Sequence, residues 1–221
     1  MRSLFATILI TASTLALAPV SAQPAPPIND RFPHNDVTRQ LASPTGDLQA
    51  SIKALQTTLT ELQQLALQTK QAHWNVSGTL FYPLHELLQE HYTGISKYSD
   101  ECAERLLAIG VSSDGRAANI VRNSQIPEYP GGFTDDAAVI KWFTVTYLTA
   151  DRVTQAGIQA TQKTDPTTSN LLQEIDNALS KYQWQMRAHL QETTTDANRG
   201  QDIGAPSARA PALAGPPPSF K

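Results

Sequence analysis

Four side chains with the chemistry of metal ligands lie within a short stretch of the sequence: His73, His85, Asp100 and Glu104. Imidazoles and carboxylates are the donors that hold divalent iron, manganese or zinc in proteins. If residues 81–108 form one helix, His85 and Asp100 are about 22 Å apart along its axis, at about 1.5 Å per residue. The ligands of one ion are only about 4–5 Å apart. The four groups therefore form either two weak half-sites or a site that a second chain completes.

Apolar side chains at helical spacing predict the two helices that must position these residues. The first helix starts after Gly46, ends near Asn75 and is followed by Gly78, which breaks helices. The second opens with Thr79 and Pro83 and runs to Gly110. The apolar stripe of the first helix is Leu48, Ile52, Leu55, Leu59, Leu62 and Ala66.

A long connection and two further helices follow. Residues 111–133 are predicted to include a short helix at 117–123. Thr134 is expected to cap the third helix, and the Asp165-Pro166 pair opens a fourth that fades near Thr195. The expected core residues of the third helix are Val139, Trp142, Phe143 and Leu148. The fold class is thus all-α: a ferritin-like four-helix bundle with a long crossover carrying a short extra helix.

The regions outside the bundle indicate an exported chain. Residues 1–22 combine a basic start, an apolar run and a small-residue cleavage site after Ala22, which predicts a signal peptide and a periplasmic or secreted protein. Residues 23–45 form a proline-rich arm, 46–196 the bundle, and 197–221 a tail rich in Pro, Ala and Gly that is expected to be disordered.

Charge and composition exclude several classes of function. Without Arg2 the chain has 16 basic and 20 acidic residues, a balance of −4, and no clustered basic patch, so DNA binding is not expected. No membrane span is expected after the signal, because no other segment has about 18 apolar residues. Cys102 is the single cysteine, which excludes an internal disulfide and favours a small buried side chain. The sequence HELLQ starts like a zinc-protease motif, but Gln89 stands where the second histidine would be.

Three motifs together resemble the Dps family of mini-ferritins, named for DNA protection during starvation. They are KQAHWNVSG at 70–78, FxxLHELL at 81–88 and D-x-x-A-E-R at 100–105, and WQMRAHL at 184–190 extends the resemblance. The resemblance implies a shell of twelve chains, built from two-fold dimers, around a store of ferric iron. It implies that His73 and His85 of one chain and Asp100 and Glu104 of its neighbour bind ferrous iron, which peroxide oxidises. Trp74 resembles the family's accessory tryptophan beside the site.

One departure from the family leaves two functions open. The family has an aspartate four residues after the second histidine, where this chain has Gln89. A neutral amide binds iron more weakly than a carboxylate does. The first hypothesis is an exported iron-oxidising and iron-storing ferroxidase that protects against oxidative stress, with zinc or manganese as substitute metals. The alternative is a cage that sequesters metal or serves a structural role with little oxidation. Asp100 and Glu104 also fit a solvated acidic stripe, and His189 is interpreted as a core or surface residue.

Overall fold

The computed structural model describes residues 48–191, so the predicted signal peptide, the arm and the tail lie outside the described part. Within it, five α-helices and two very short strands account for nearly all regular structure. The elements are α1 (Leu48–Asn75), β1 (Val76–Ser77), α2 (Phe81–Ala108), α3 (Ala117–Asn123), β2 (Thr134–Asp135), α4 (Asp136–Thr161) and α5 (Pro166–Ala188).

The four long helices form a bundle around one apolar core. Helix α1 packs on α2 and α4, α4 packs on α5, and α2 meets α5. The stripe predicted on α1 lies largely in this core, where Leu55, Leu59 and Leu62 are at most 1% exposed. Cys102 is also buried, as a small apolar side chain should be, and burial raises the pKa of its thiol to about 12. The predicted all-α bundle with a short helix in its crossover is confirmed.

The long crossover lies against α1. Its backbone is held by two buried side chains: the Glu61 carboxylate accepts from Ser124 Oγ at 2.7 Å and from the Gln125 N–H at 2.9 Å. Gln68 Oε1 accepts from the Tyr129 N–H at 2.7 Å. Because each polar backbone group of a buried connection needs a partner, these bonds fix the path that the sequence left undefined.

A small parallel strand pair closes one end of the bundle. Val76 pairs with Thr134 and Ser77 with Asp135, directly after α1 and directly before α4. The end of α1 and the start of α4 therefore lie together, which makes α2 and α4 run in the same direction. Two-residue strands have no alternating pattern to read, so the sequence did not predict them.

Two predictions about α4 were wrong. Asp135, not Thr134, is its N-cap, since the Asp135 side chain accepts from the Ala137 N–H; Thr134 is committed to β2 instead. Leu148 is 38% exposed, whereas the neighbouring Tyr147 is wholly buried. Within residues 48–191, no helix combines the length and the apolar character required to cross a membrane.

Candidate metal centre

His73 and His85 come together where α1 turns into α2. His73 lies in the last turn of α1 and His85 in the second turn of α2. Their rings stack with centroids 3.7 Å apart and planes 20° from parallel. The turn between the helices therefore brings two imidazoles that are twelve positions apart in the sequence into direct contact.

Reciprocal hydrogen bonds determine which nitrogen of each ring is available. His73 Nδ1 lies 2.8 Å from the carbonyl oxygen of His85, and His85 Nδ1 lies 2.8 Å from the carbonyl oxygen of His73. A carbonyl oxygen can only accept, so both Nδ1 atoms carry the proton. Each neutral imidazole then presents an unprotonated Nε2, which is the form that binds a metal ion.

The surroundings of His73 favour a neutral imidazole. His73 is 8% exposed, and burial lowers its pKa, although the bond to the His85 carbonyl acts in the opposite direction. The Phe81 ring lies beside His85, with centroids 5.4 Å apart. A neutral, partly desolvated imidazole does not have to lose a proton before it binds a cation.

Asp136, at the start of α4, fixes the turn that holds the histidines. Its Oδ2 accepts from the Leu80 N–H at 2.9 Å and so satisfies a backbone group at the start of α2. Gly78 approaches this carboxylate so closely that an added Cβ would lie 2.5 Å from Oδ2, and its φ of +117° also favours glycine. Helix α4 thereby sets the relative position of α1 and α2 beside His73.

Gln89 lies one turn beyond His85 on α2, and both ends of its amide have partners. Lys70 Nζ donates to Gln89 Oε1, and Gln89 Nε2 donates to Thr93 Oγ1 at 3.3 Å. The Lys70 ammonium also lies 4.8 Å from the centroid of the Tyr92 ring. The amide oxygen, the atom through which glutamine binds metals, is thus directed to a cation within the same chain.

Asp100 and Glu104 lie far from the histidines, on the exposed side of the other half of α2. Helix α2 is continuous from Phe81 to Ala108, so His85 and Asp100 are separated by about 22 Å along the axis. Among residues 48–191, no three His, Cys, Asp or Glu side chains are grouped closely enough to hold a metal ion. One chain therefore contains the histidine pair and the carboxylate pair, but it does not bring them together.

The arginine of the D-x-x-A-E-R motif has a structural role next to the carboxylates. Arg105 Nη2 forms an ion pair at 2.9 Å with Asp165, which is 2% exposed at the N-cap of α5. Arg105 Nε donates to Thr168 Oγ1 at 3.0 Å, and Ser51 Oγ donates to Asp165 at 2.9 Å. Since Arg105 points into the bundle, the preceding Glu104 is left on the outside.

Trp74 lies on a wide, open depression that the bundle leaves unfilled. The depression has a volume of about 1280 Å³ and is formed by α1, α2 and the crossover. Trp74 is 64% exposed, Leu67 60% and Val121 83%. Large apolar side chains are thus concentrated on the face next to the histidine pair, which is the property of a surface that meets another protein.

Three residues around the pair were missed at the sequence level: Lys70, Phe81 and Asp136. Spacing could have found two of them, because Lys70 is three residues before His73 and Phe81 is four before His85 on the same helical faces. Nothing in the sequence relates Asp136 to this turn, since the contact joins elements separated by the whole crossover.

Comparisons with known proteins agree with this architecture. The chain matches the family model of the ferritin-like domain over residues 52–195. It is 60% identical over 172 residues to the DNA protection during starvation protein 2 of Deinococcus radiodurans, an alignment that covers 78% of this chain and 71% of that protein.

Solved structures are similar to this chain as well. The crystal structure of Dps92 from Deinococcus radiodurans matches with a TM-score of 0.69 and 61% identity, covering 71% of this chain and 95% of that one. The structure of Dps from Microbacterium arborescens in the high iron form matches with a TM-score of 0.63 and 31% identity, covering 68% of this chain and 100% of that one.

Proposed function

Because this chain belongs to the Dps family of ferritin-like proteins, we propose that it oxidises ferrous iron and stores the ferric product within a cage of identical chains. The cage has twelve chains built from two-fold dimers. His73 and His85 of one chain and Asp100 and Glu104 of its neighbour bind the iron. Hydrogen peroxide is the oxidant: it takes one electron from each of two ferrous ions, its O–O bond breaks, and with two protons from solvent it leaves as two water molecules.

The stacked histidine pair is the observation that carries this proposal. Two imidazoles with both Nδ1 protons fixed on carbonyl oxygens leave both Nε2 atoms without a proton and able to bind a metal ion. Nitrogen donors suit ferrous iron, and carboxylates stabilise the more highly charged ferric product. A relative with 31% identity has been solved in a high iron form, which supports iron as the metal.

The occupant of the open depression is a second copy of the chain. Among residues 48–191, Asp100 and Glu104 have no third ligand close enough to hold a metal ion, and exposed apolar side chains line the face next to the histidines. A two-fold dimer formed through this face would place the carboxylate half of each chain at the histidine half of the other. Each dimer would then have two equivalent sites, and burial of Leu67, Trp74 and Val121 would stabilise it.

Complementation between two inactive variants tests the shared site. His85→Ala and Glu104→Gln should each abolish iron oxidation by peroxide. When the two chains are co-expressed, a mixed dimer has one doubly defective site and one intact site, so random pairing should restore about a quarter of the wild-type sites. Recovery requires ligands from two chains. If the mixture stays inactive while mixed dimers form, the site is not shared in this way.

A second function is favoured by the contacts of Gln89. Its amide oxygen is already bound by Lys70, so this position contributes little to iron binding. The protein would then be a cage that sequesters metal or has a structural role, with slow oxidation. Such a protein should assemble and bind ferrous iron. It should oxidise the iron no faster than peroxide does in the absence of protein.

Export is part of the first proposal, and its support is the sequence of residues 1–22. The mature chain should start at Gln23 after cleavage behind Ala22. Fractionation of the native cells followed by N-terminal sequencing checks both points. A cytoplasmic chain that retains its first residues would contradict export without affecting the proposed iron chemistry.

A further inference from the structure

A hydrogen-bonded tyrosine–histidine pair lies buried in the bundle, apart from the residues assigned to iron. Tyr147 of α4 and His91 of α2 are both 0% exposed. The Tyr147 hydroxyl lies 2.8 Å from His91 Nδ1, and His91 Nε2 lies 2.9 Å from Gln185 Oε1 on α5. A chain of hydrogen bonds therefore joins three helices through one imidazole.

The direction of these hydrogen bonds follows from the amide. Gln185 Oε1 can only accept, so His91 Nε2 carries the ring proton and His91 Nδ1 accepts from the Tyr147 O–H. Burial lowers the pKa of His91 to about 4, so the imidazole is neutral at pH 7. Burial also holds the pKa of the Tyr147 phenol well above its usual value. The phenol thus has a proton acceptor in place, although it does not ionise in the resting protein.

The pair lies close to the histidines of the candidate metal centre. The Tyr147 hydroxyl also lies beside the side chain of Thr69, which precedes His73 by one turn on the same face of α1, about 6 Å along the axis. His91 follows His85 on α2 by six residues, about 9 Å along that axis. Both partners are therefore anchored to the helices that hold the proposed iron ligands.

We propose that Tyr147 is a one-electron donor to the oxidation at the iron site and that His91 takes up its proton. This inference rests on the proposed function. One ferrous ion and Tyr147 each give one electron to hydrogen peroxide, whose O–O bond breaks to form two hydroxide ions. The phenolic proton moves to His91 Nδ1, which leaves ferric iron, a neutral tyrosyl radical and an imidazolium. A later ferrous ion reduces the radical, and the proton returns to the phenol oxygen.

The surroundings of His91 suit both states of this cycle. Before oxidation the imidazole accepts from Tyr147 and donates to Gln185. Afterwards the imidazolium donates from both nitrogens, to the phenoxyl oxygen and to the same amide oxygen. No polar group has to rotate or lose its partner, and the complete burial of both rings keeps water away from the radical.

Weak iron binding at Gln89 would explain why a second electron donor is needed. Peroxide needs two electrons, and two bound ferrous ions would supply them together. Where the amide of Gln89 bonds Lys70 and the second iron binds weakly, a single ferrous ion meets the oxidant. That ion alone would release a hydroxyl radical, whereas a second electron from Tyr147 completes the reduction.

The test compares Tyr147→Phe with Tyr182→Phe in the full-length protein. Tyr182 is the matched control, because its ring also lies against His91, with centroids 4.3 Å apart, while both His91 nitrogens bond other groups. Protein loaded with a single ferrous ion per chain is mixed with excess peroxide, frozen rapidly and measured by electron paramagnetic resonance. A tyrosyl radical is expected in the wild type and in Tyr182→Phe and should be lost in Tyr147→Phe. Spin-trapped hydroxyl radical should rise in Tyr147→Phe alone.

A second variant tests the role of His91. His91→Phe keeps a ring of similar size but removes the proton acceptor, so its radical should be lost although Tyr147 is present. An undiminished radical in this variant overturns the assignment of the acceptor. If His91→Phe does not fold, the comparison of Tyr147→Phe with Tyr182→Phe still decides the assignment of the donor.

The outcomes separate this inference from the proposed function. An equal radical in Tyr147→Phe, or ferric iron formed in the wild type without any radical, overturns the inference and leaves iron oxidation intact. If the wild type forms no ferric iron, the proposed function fails. The pair is then tested in iron-free protein by photo-oxidation with a ruthenium(III) complex, where a radical that depends on Tyr147 supports its role as an electron donor and the absence of a radical overturns it.

Discussion

The two ends of α2 differ in how completely one chain builds them. At the first end, His85 stacks on His73, and each ring is fixed by a bond to the other's backbone. At the second end, Asp100 and Glu104 are exposed, and the helix beneath them is anchored through Arg105 and Asp165. The backbone is thus rigid at both ends, but side chains are positioned in advance only at the first. The difference is what a site shared between chains requires: donors fixed on one side and open carboxylates on the other.

Removal of His85 should have the largest effect on the rate of iron oxidation. His85→Ala is expected to slow iron oxidation at least about a hundredfold, because loss of an outer partner of a ligand alone costs about 10–100-fold. His189→Ala, at the end of α5, is the matched control and should keep the wild-type rate. The rate of ferric iron formation with peroxide measures both. Equal rates in the three proteins would remove the histidine end from the site.

The anchor of the carboxylate end is the next prediction. Arg105→Met should lower the free energy of unfolding by about 3 kcal/mol, since it leaves the buried Asp165 carboxylate without its cation. Lys97→Met breaks the exposed ion pair with Glu101 on the same helix and should cause no measurable change. Urea denaturation of both variants makes the comparison. Similar losses would mean that burial does not distinguish the two ion pairs.

His91, which is buried in the core between the two ends of α2, should make the free energy of unfolding depend on pH. The pKa of His91 is about 4 when folded and about 6.5 when unfolded, so the unfolded chain takes up the proton first. The free energy of unfolding is therefore highest above about pH 6.5. It falls by about 3 kcal/mol in all as the pH is lowered toward about 4. In His91→Phe this part of the decrease should be absent. Parallel pH profiles for the two proteins would contradict the burial of a neutral imidazole.

Gln89 gives the smallest expected effect. Gln89→Asp adds a carboxylate one turn from His85, where Lys70 is available to balance its charge, so iron oxidation should accelerate several-fold. Gln89→Asn has the same length as aspartate without the charge and should bring no gain. If Gln89→Asp is no faster than the wild type, weak binding at this position does not limit the rate, and the second proposed function loses its main support.

The sequence predicted most of the scaffold because helices leave a local signal. The stripe on α1, the short helix at 117–123 and the proline start of α5 were all confirmed. The errors came where tertiary contacts compete with local preference. Thr134 has the character of a cap but pairs with Val76, and the inward face of α4 selects Tyr147 rather than Leu148.

The hydrogen bonds of His91 could not be predicted from sequence patterns within any one helix. The sequence contains His91, Tyr147 and Gln185 at positions that spacing does not connect. They meet because α2, α4 and α5 converge in the bundle, and burial then makes their hydrogen bonds obligatory. No pattern within one helix could have predicted that this histidine is neutral or that it accepts from a phenol.

By itself, the sequence determined the helix periods, the residue types of the candidate ligands and the axial distance that separates His85 from Asp100, because these follow from the geometry of one helix. The tertiary structure decided which nitrogens of His73 and His85 are hydrogen-bonded to the backbone, that Lys70 bonds the amide oxygen of Gln89, and that Arg105 pairs with the buried Asp165. Those features depend on contacts between elements far apart in the chain, and their energies arise only when packing removes water from the groups involved.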